Sequence, residues 1–284
     1  MKMRNFFAAV TIVGAAAAGS AQAKILTDVI FVVDESGSMG TVQTNLRTNI
    51  GLFASILTGT GQVDAQYGLV GYGNYQTKPR MLTDLTDDAS FATAAASLQT
   101  NGVTEPGYAA TAYALNSLDG QTDFFSFRQN SVKNVIILTD EPSNGDTGYY
   151  SSYTIGGSAI TEAAVDGVLS SNGALYNGVL KYSNTIDSYG DLIQDHSGQI
   201  FDLNLFNTTD QSVVGQFVTD FANAKLQETI DFCVANPTDP ACQEFEEPNA
   251  SVPESSTLAL FGIGLAGLGL SRRRSQSSKK VAVA

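Results

Sequence analysis

The sequence predicts an α/β fold, with a doubly wound, mainly parallel sheet flanked by helices on both faces. Two observations indicate this class. Segments rich in β-branched and apolar residues alternate with segments whose apolar residues recur at helical spacing, which is the order that builds parallel sheets. In addition, residues 25–33 form an almost unbroken apolar run, as expected for a strand buried on both faces.

The remaining elements follow in order from the same periodicities. After the first strand, Val42, Leu46, Ile50, Phe53 and Leu57 fall on one helical face. Later helices repeat this spacing, and later strands either alternate or run apolar. The predicted elements are strand 25–33, helix 42–57, strand 63–70, edge strand 79–85, helices 91–98 and 108–118, strand 132–138, helix 160–169, strands 174–180 and 199–205, and helix 210–230.

These elements predict one domain over residues 24–232. Residues 141–158 are polar and rich in Gly, Ser and Tyr, which predicts a long loop. Residues 233–251 are acidic and contain proline, which predicts a stalk after the domain.

The charge composition limits the classes of partner that the protein is expected to bind. The chain has 284 residues, 43% of them hydrophobic, and a formal net charge of −13. Many of the basic residues lie in the first few positions and after residue 270, so the body of the chain is more acidic than the total suggests. A body of this charge predicts no nucleic-acid partner and is compatible with divalent cations.

Residues 1–23 fit the pattern of a secretory signal peptide. Lys2 and Arg4 precede an apolar stretch over 6–18, and Ala21-Gln22-Ala23 supplies a small-x-small cleavage site. The stretch is shorter than the about 20 apolar residues that a membrane span needs. An uncleaved anchor and a first buried helix are the alternatives. Cleavage would leave a mature chain that begins near Lys24.

A second apolar segment, residues 258–270, lies between Pro253-Glu254 and the cluster Arg272–Arg274. This order resembles the PEP-CTERM sorting signal, although Ser255 stands where that pattern usually has a second proline. For residues 252–284 the resemblance implies transient membrane insertion, a membrane tether until an exosortase removes the tail, and release to the envelope or polysaccharide matrix of a Gram-negative bacterium. A plain membrane anchor is the alternative.

Cys233 and Cys242 are the two cysteines of the chain. A zinc site needs more ligands, and His196, the one histidine, is far away in sequence. In an oxidising compartment the pair is expected to form a disulfide that closes a short loop, with two free thiols as the alternative.

Polar residues gather where the predicted sheet would bind a ligand, at the carboxyl ends of its strands. Asp34, Ser36 and Ser38 follow the first strand, Asp140 follows the strand 132–138, and Thr104 lies in a turn between them. Hard cations need several oxygen ligands from short side chains, so these five residues predict a divalent-cation site. Helix capping and turn formation are the alternative roles of such residues.

The same residues resemble the adhesion site of the von Willebrand factor A domain. Asp34-x-Ser36-x-Ser38 matches its D-x-S-x-S motif, Thr104 lies in a matching G-x-T-x-x-G loop, and Asp140 matches its strand-end aspartate. The resemblance implies direct metal binding by Ser36, Ser38 and Thr104, and binding by Asp34 and Asp140 directly or through water. It favours Mg²⁺, with Mn²⁺ and Ca²⁺ as alternatives, and implies that an acidic group of the partner completes the coordination.

Several other polar and aromatic residues are not expected to bind the cation or to catalyse a reaction. Glu35, Glu105 and Glu141 are expected to be solvated and to raise the local negative potential at most. Thr111 is a weaker alternative to the loop threonine, because it falls inside a predicted helix. His196 is expected in a loop or on the surface. Three tyrosines fit either a recognition surface or a flexible loop: Tyr149, Tyr150 and Tyr153.

The sequence therefore predicts an exported binding module for an acidic group of a protein or an exopolysaccharide. An enzyme is not expected, because no nucleophile and base pair is evident. The alternative function is a structural calcium-binding component of the matrix, without a discrete partner, in which the cation stabilises the fold.

Overall fold

The computed structural model describes residues 24–73, 78–148 and 151–243, apart from the side chains of residues 147, 148, 151 and 152. The predicted signal peptide, the sorting segment, residues 244–251 of the predicted stalk, Tyr149 and Tyr150 lie outside these residues. Within the described chain, no helix combines the length and the apolar composition needed to cross a membrane.

The strands are β1 (Ile25–Asp34), β2 (Val63–Tyr72), β3 (Arg80–Thr86), β4 (Val132–Thr139), β5 (Thr147–Gly148), β6 (Ser151–Ser152), β7 (Thr154–Ile155), β8 (Ser158–Ala159), β9 (Leu175–Leu180) and β10 (Ile200–Asp202). The helices are α1 (Gly40–Gly59), α2 (Asp88–Ala95), α3 (Gly107–Ala114), α4 (Glu162–Asn172), α5 (Ser183–Asp195) and α6 (Gln211–Ala235).

Six strands form the central sheet in the order β10-β9-β4-β1-β2-β3. All neighbours pair in parallel except β3, which runs antiparallel to β2 at the edge. Parallel register places Asp34 beside Tyr72 and Thr139 beside Leu180, so the carboxyl ends of four strands share one edge of the sheet. The predicted fold class is confirmed.

Both faces of the sheet are covered, which explains the unbroken apolar run of β1. Successive side chains of a strand point to opposite faces. Phe31 and Val33 pack with α1, α2 and α6, whereas Ile30 and Val32 pack with α3, α4 and α5.

Helix α5 has no counterpart among the predicted elements. Tyr189, Leu192 and Ile193 bury one face, but most other positions are polar, and Tyr182 at the N-cap makes no capping bond through its side chain. The helix forms because the chain must cross from β9 to the parallel strand β10, and such a crossover usually contains a helix.

Three other predictions need correction. The predicted loop 141–158 contains two short hairpins, β5–β6 and β7–β8. The predicted strand 199–205 ends at Asp202, because the Asp202 carboxylate accepts a hydrogen bond from Asn204 N at 2.9 Å and starts a 3-10 turn. Helix α6 continues to Ala235 and passes through the predicted end of the domain at residue 232.

Candidate metal site

The carboxylate of Asp34 is the centre of the candidate site. Asp34 ends β1, and its side chain is completely buried. Its Oδ1 accepts a hydrogen bond from Ser36 N at 2.7 Å, and its Oδ2 accepts one from the Thr139 hydroxyl at 2.8 Å. In the part of the chain that the structure describes, no ion pair involves Asp34. Neutral donors alone hold this buried carboxylate.

Hydrogen bonds connect Asp34 to three other predicted residues. The hydroxyls of Ser36 and Ser38 lie 3.1 Å apart, and the Ser38 hydroxyl donates to Asp140 Oδ1 at 2.9 Å. Ser36 and Asp140 are buried, whereas Ser38 is exposed. The structure therefore brings together four of the five predicted residues, at the ends of two neighbouring strands.

The turn that contains Thr104 docks against the same edge through its backbone. Gly102 N donates to Glu35 O at 2.9 Å, and Gly102 forms a parallel bridge with Ser36. A Cβ on Gly102 would lie 1.8 Å from the carbonyl oxygen of Gly73, so this approach requires glycine.

Thr104 lies beside Asp34 but is not hydrogen-bonded to it. The carbonyl oxygen of Thr104 and Oδ1 of Asp34 lie 3.2 and 3.6 Å from the position that a Cβ on Gly73 would take. Among the described residues, no hydrogen bond joins Thr104 to the other four predicted ligands. The structure places Thr104 at the site without fixing its hydroxyl there.

Helix capping does not account for these residues. Ser36 precedes a 3-10 turn and Met39 precedes α1, and neither makes a capping bond through its side chain. The N-cap of α3 is Pro106 rather than Thr104, and it has no capping bond of its own either.

The surroundings of Asp34 disfavour the charged form of its carboxylate. Burial raises the pKa of Asp34 to about 7, against the opposing effect of the hydrogen bonds from Ser36 and Thr139, and the charge of Glu105 raises it further. Lys181 Nζ lies 3.5 Å from Asp140 Oδ2 and is the one cation paired with either aspartate among the described residues.

Two glutamates expected to be solvated are in fact buried. Glu35 Oε1 accepts hydrogen bonds from Arg80 Nη2 at 2.5 Å and from Gln99 N at 2.7 Å. Glu105 is 3% exposed, and its Oε2 accepts from Asn144 Nδ2 at 2.9 Å. Burial raises the pKa of Glu105. The expectation was wrong for these two residues, because distant parts of the chain supply their partners. It is confirmed for Glu141, which is exposed.

The loop after β4 supplies the cap that α3 lacks. Tyr108 N donates to the Ser143 hydroxyl at 2.9 Å, and Ala109 N donates to Asp146 Oδ1 at 2.8 Å. Burial raises the pKa of Asp146 to about 6. This capping fixes the Thr104 turn against the loop that follows Asp140.

Sequence reasoning missed several residues of the site. Thr139 and Lys181 lie at the ends of β4 and β9, so the rule that singled out Asp140 could have found them. No comparable signal marks Asn144 or Asp146, since both lie in the polar loop.

The remaining predictions have mixed outcomes. Thr111 lies inside α3 and donates to Gly107 O at 2.9 Å, as expected of a helical threonine. His196 follows α5, and its Nε2 lies 2.9 Å from Asp166 Oδ1. Tyr153 is 7% exposed, so its side chain belongs to the core and not to a recognition surface.

The predicted disulfide between Cys233 and Cys242 is confirmed, with an S–S distance of 2.00 Å. Cys233 lies in the last turns of α6. Both cysteines are buried in the part of the hydrophobic core that lies between the sheet and helices α1 and α6. The bond ties the segment after α6 back onto the domain.

The donor set of the candidate site suits a hard divalent cation. The described residues contain no group of three or more His, Cys, Asp or Glu side chains placed to hold a metal ion. Two carboxylates, two hydroxyls and a nearby threonine instead offer oxygen donors, which Mg²⁺, Mn²⁺ and Ca²⁺ accept.

Comparisons with known proteins identify a domain and a sorting motif in the chain. Residues 28–165 match the von Willebrand factor type A domain, and residues 251–274 match the PEP-CTERM protein-sorting motif. No curated protein matches the chain. Among solved structures, the chain is similar to a mutant of the PilB minor pilin from Streptococcus sanguinis, with 15% identity, a TM-score of 0.47 and coverage of 74% of this chain and 64% of that chain.

It is also similar to the vWF domain of the type V pili tip protein Mfa5 from Porphyromonas gingivalis, with 21% identity, a TM-score of 0.32 and coverage of 43% of this chain and 40% of that chain. The chain spans less than two thirds of the length of either structure. The sorting motif implies export, association with the envelope or surface, and processing by an exosortase. The chain therefore contains a von Willebrand factor type A domain over residues 28–165 and carries a PEP-CTERM protein-sorting motif over residues 251–274.

Proposed function

We propose that this protein is a surface adhesion module that uses a divalent cation, with Mg²⁺ favoured, to bind an acidic group of its partner. Asp34, Ser36, Ser38, Thr104 and Asp140 would hold the cation. One observation carries the proposal: Asp34 is completely buried, yet among the described residues only neutral groups hydrogen-bond to it. Buried charges in proteins are normally paired or bound to metal, and a cation here would supply the missing positive charge.

The surrounding residues fit this role. Thr139 and the backbone amide of Ser36 orient the Asp34 carboxylate. Ser38 is exposed, and the side chain of Val103, which precedes Thr104 in the chain, is 69% exposed, so a partner can approach from this side. Lys181 forms an ion pair with Asp140, so the two carboxylates would neutralise a divalent cation only in part. The remaining positive charge would attract an acidic group of the partner.

The partner is an acidic group on a protein or an exopolysaccharide at the envelope or in the extracellular matrix of a Gram-negative bacterium. We propose a binding role and not an enzymatic one, because the described hydroxyls and carboxylates lie together as oxygen donors that suit a hard cation.

Titration calorimetry with MgCl₂, MnCl₂ and CaCl₂ tests the site. Asp34→Ala should abolish Mg²⁺ binding while the circular dichroism spectrum stays native. Asp220→Ala, which removes an exposed aspartate of α6, is the matched control and should bind Mg²⁺ like the wild type.

A second measurement separates adhesion from a purely structural role. Capture of surface polysaccharide and surface protein from the producing bacterium should require Mg²⁺ and fail in EDTA. Undiminished capture in EDTA contradicts the proposal. A large rise in melting temperature with Ca²⁺ and no capture of either material would instead favour the structural matrix component.

A further inference from the structure

A second buried polar cluster lies between α6 and β9, and it contains a lysine. Lys225 is 1% exposed, and Asn177 of β9 is completely buried. Lys225 Nζ donates hydrogen bonds to Asn177 Oδ1 and to Glu228 Oε2. The rings of Phe201 and Phe221 lie 5.3 and 5.9 Å from the same nitrogen. The amine is thus held against an amide carbonyl in a site closed to water.

Glu228 contacts both nitrogens that an amide exchange would involve. Its Oε2 accepts from Lys225 Nζ, and its Oε1 accepts from Asn177 Nδ2 at 2.9 Å. Asn134 Nδ2 also donates to Oε1, at 3.3 Å. A carboxylate in this position can take a proton from one nitrogen and deliver it to the other.

The carbonyl of Asn177 is polarised by a backbone donor. Gln199 N donates to Asn177 Oδ1 at 2.8 Å. A fixed N–H group aimed at a carbonyl oxygen stabilises the negative charge that develops there when an amine attacks. Burial also lowers the pKa of Lys225, against the opposing effect of Glu228, which increases the fraction of neutral, nucleophilic amine.

We propose that Lys225 and Asn177 form an intramolecular isopeptide bond, with Glu228 as the acid and base. The neutral Nζ attacks Cγ of Asn177, and the new C–N bond places negative charge on Oδ1. Glu228 takes a proton from Nζ and passes it to Nδ2. The Cγ–Nδ2 bond then breaks and ammonia leaves. Glu228 is regenerated, and the step needs no oxidant or reductant.

The bond would join α6 covalently to the central sheet. Helix α6 leads to the disulfided segment, and the sorting motif follows later in the chain. A pulling force applied through that end would reach the sheet through the cross-link without unwinding the part of α6 that precedes Lys225. The chemistry of the bond does not depend on the proposed adhesion function.

The chain contains a natural comparison for this cluster. Lys133 Nζ also donates to an asparagine carbonyl, Asn172 Oδ1, at 2.8 Å, and lies 4.9 Å from the ring centroid of Phe127. Lys133 is only half-buried, and among the described residues no carboxylate hydrogen-bonds to either member of this pair. We expect no cross-link between Lys133 and Asn172.

Mass spectrometry of the full exported chain, purified folded and then denatured and reduced, tests the proposal. The measured mass of the wild type should be lower by one ammonia molecule than the mass calculated from its sequence. A tryptic digest should contain a branched peptide that joins the segments with Asn177 and Lys225. Glu228→Gln should show the full mass. Lys133→Met, the matched control, should keep the loss of ammonia.

Lys225→Met separates the cross-link from a succinimide at the Asn177-Gly178 step, which also releases ammonia. The succinimide would persist in this variant, whereas the isopeptide bond cannot form. Full mass in the folded wild type overturns the proposal, as does loss of ammonia without a branched peptide. If Glu228→Gln does not fold, the wild-type digest alone decides.

Discussion

Two aspartates of β1, Asp28 and Asp34, lie near opposite ends of the same strand, and both are completely buried. Asp28 accepts hydrogen bonds from Arg128 Nε at 2.7 Å, from Arg128 N at 2.8 Å and from the Ser131 hydroxyl at 2.7 Å. Among the described residues, the Asp34 carboxylate accepts hydrogen bonds only from the backbone amide of Ser36 and the hydroxyl of Thr139.

The difference separates a structural carboxylate from one suited to a ligand. At the amino end of β1, the guanidinium of Arg128 neutralises Asp28 and links it to Asp64 on the neighbouring strand. At the carboxyl end, the protein supplies no cation to Asp34 within the described residues, and burial raises its pKa to about 7. A cation from solution would stabilise a buried carboxylate left in this state.

The largest expected effect on stability comes from removing the charge of Asp28, the carboxylate that the protein itself neutralises. Asp28→Asn should lower the free energy of unfolding by about 3 kcal/mol, the lower end for a broken buried pair, because Arg128 stays 20% exposed and keeps Asp64. Asp34→Asn should have little effect in EDTA or increase stability, since it removes an uncompensated charge. Guanidinium unfolding of both variants in EDTA measures this, and equal losses would contradict the distinction.

A pH titration sharpens the comparison at Asp34. The pKa of Asp34 is about 7 in the folded protein and has an ordinary value of 3.8. Protonation of Asp34 therefore stabilises the fold fully below pH 3.8, and this stabilisation is lost as the pH rises through about 7. In EDTA, the stability of the wild type relative to Asp34→Asn should fall by about 2 kcal/mol from about pH 5.5 to about pH 8.

Addition of Mg²⁺ supplies the control for the titration. Protons compete with the cation for Asp34, so Mg²⁺ should stabilise the wild type more at the higher pH and should not stabilise Asp34→Asn at either. Relative stabilities that do not change with pH in EDTA would show that Asp34 titrates normally.

The smallest expected effect concerns Lys181. Lys181→Met removes the cation that pairs with Asp140 Oδ2 and should strengthen Mg²⁺ binding by about fivefold, or ~1 kcal/mol, the range of a partly exposed ion pair. Calorimetry measures this, with Lys133→Met as a control that should leave the affinity unchanged. Weaker binding in Lys181→Met would mean that Lys181 orients Asp140 rather than competing with the cation.

Some parts of the fold and site were predictable because they depend on local sequence. Apolar runs and helical spacing marked five of the six helices and all six strands of the central sheet, and the strand ends identified Asp34 and Asp140. Helix α5 was not predicted, because most of its positions are polar. The burial of Glu35 was not predictable, because its partner Arg80 is 45 residues away in the chain.

The sequence by itself determined which residues stand at the strand ends, the order of the motifs and the pair of cysteines. Only the tertiary structure decided which buried charges are neutralised. Arg128 reaches Asp28 across 100 residues of chain, and Lys225 meets Asn177 across 48, whereas no cationic side chain of the described residues pairs with Asp34. The physical reason is that charge compensation depends on distance in space, and that distance is set by packing rather than by position along the chain.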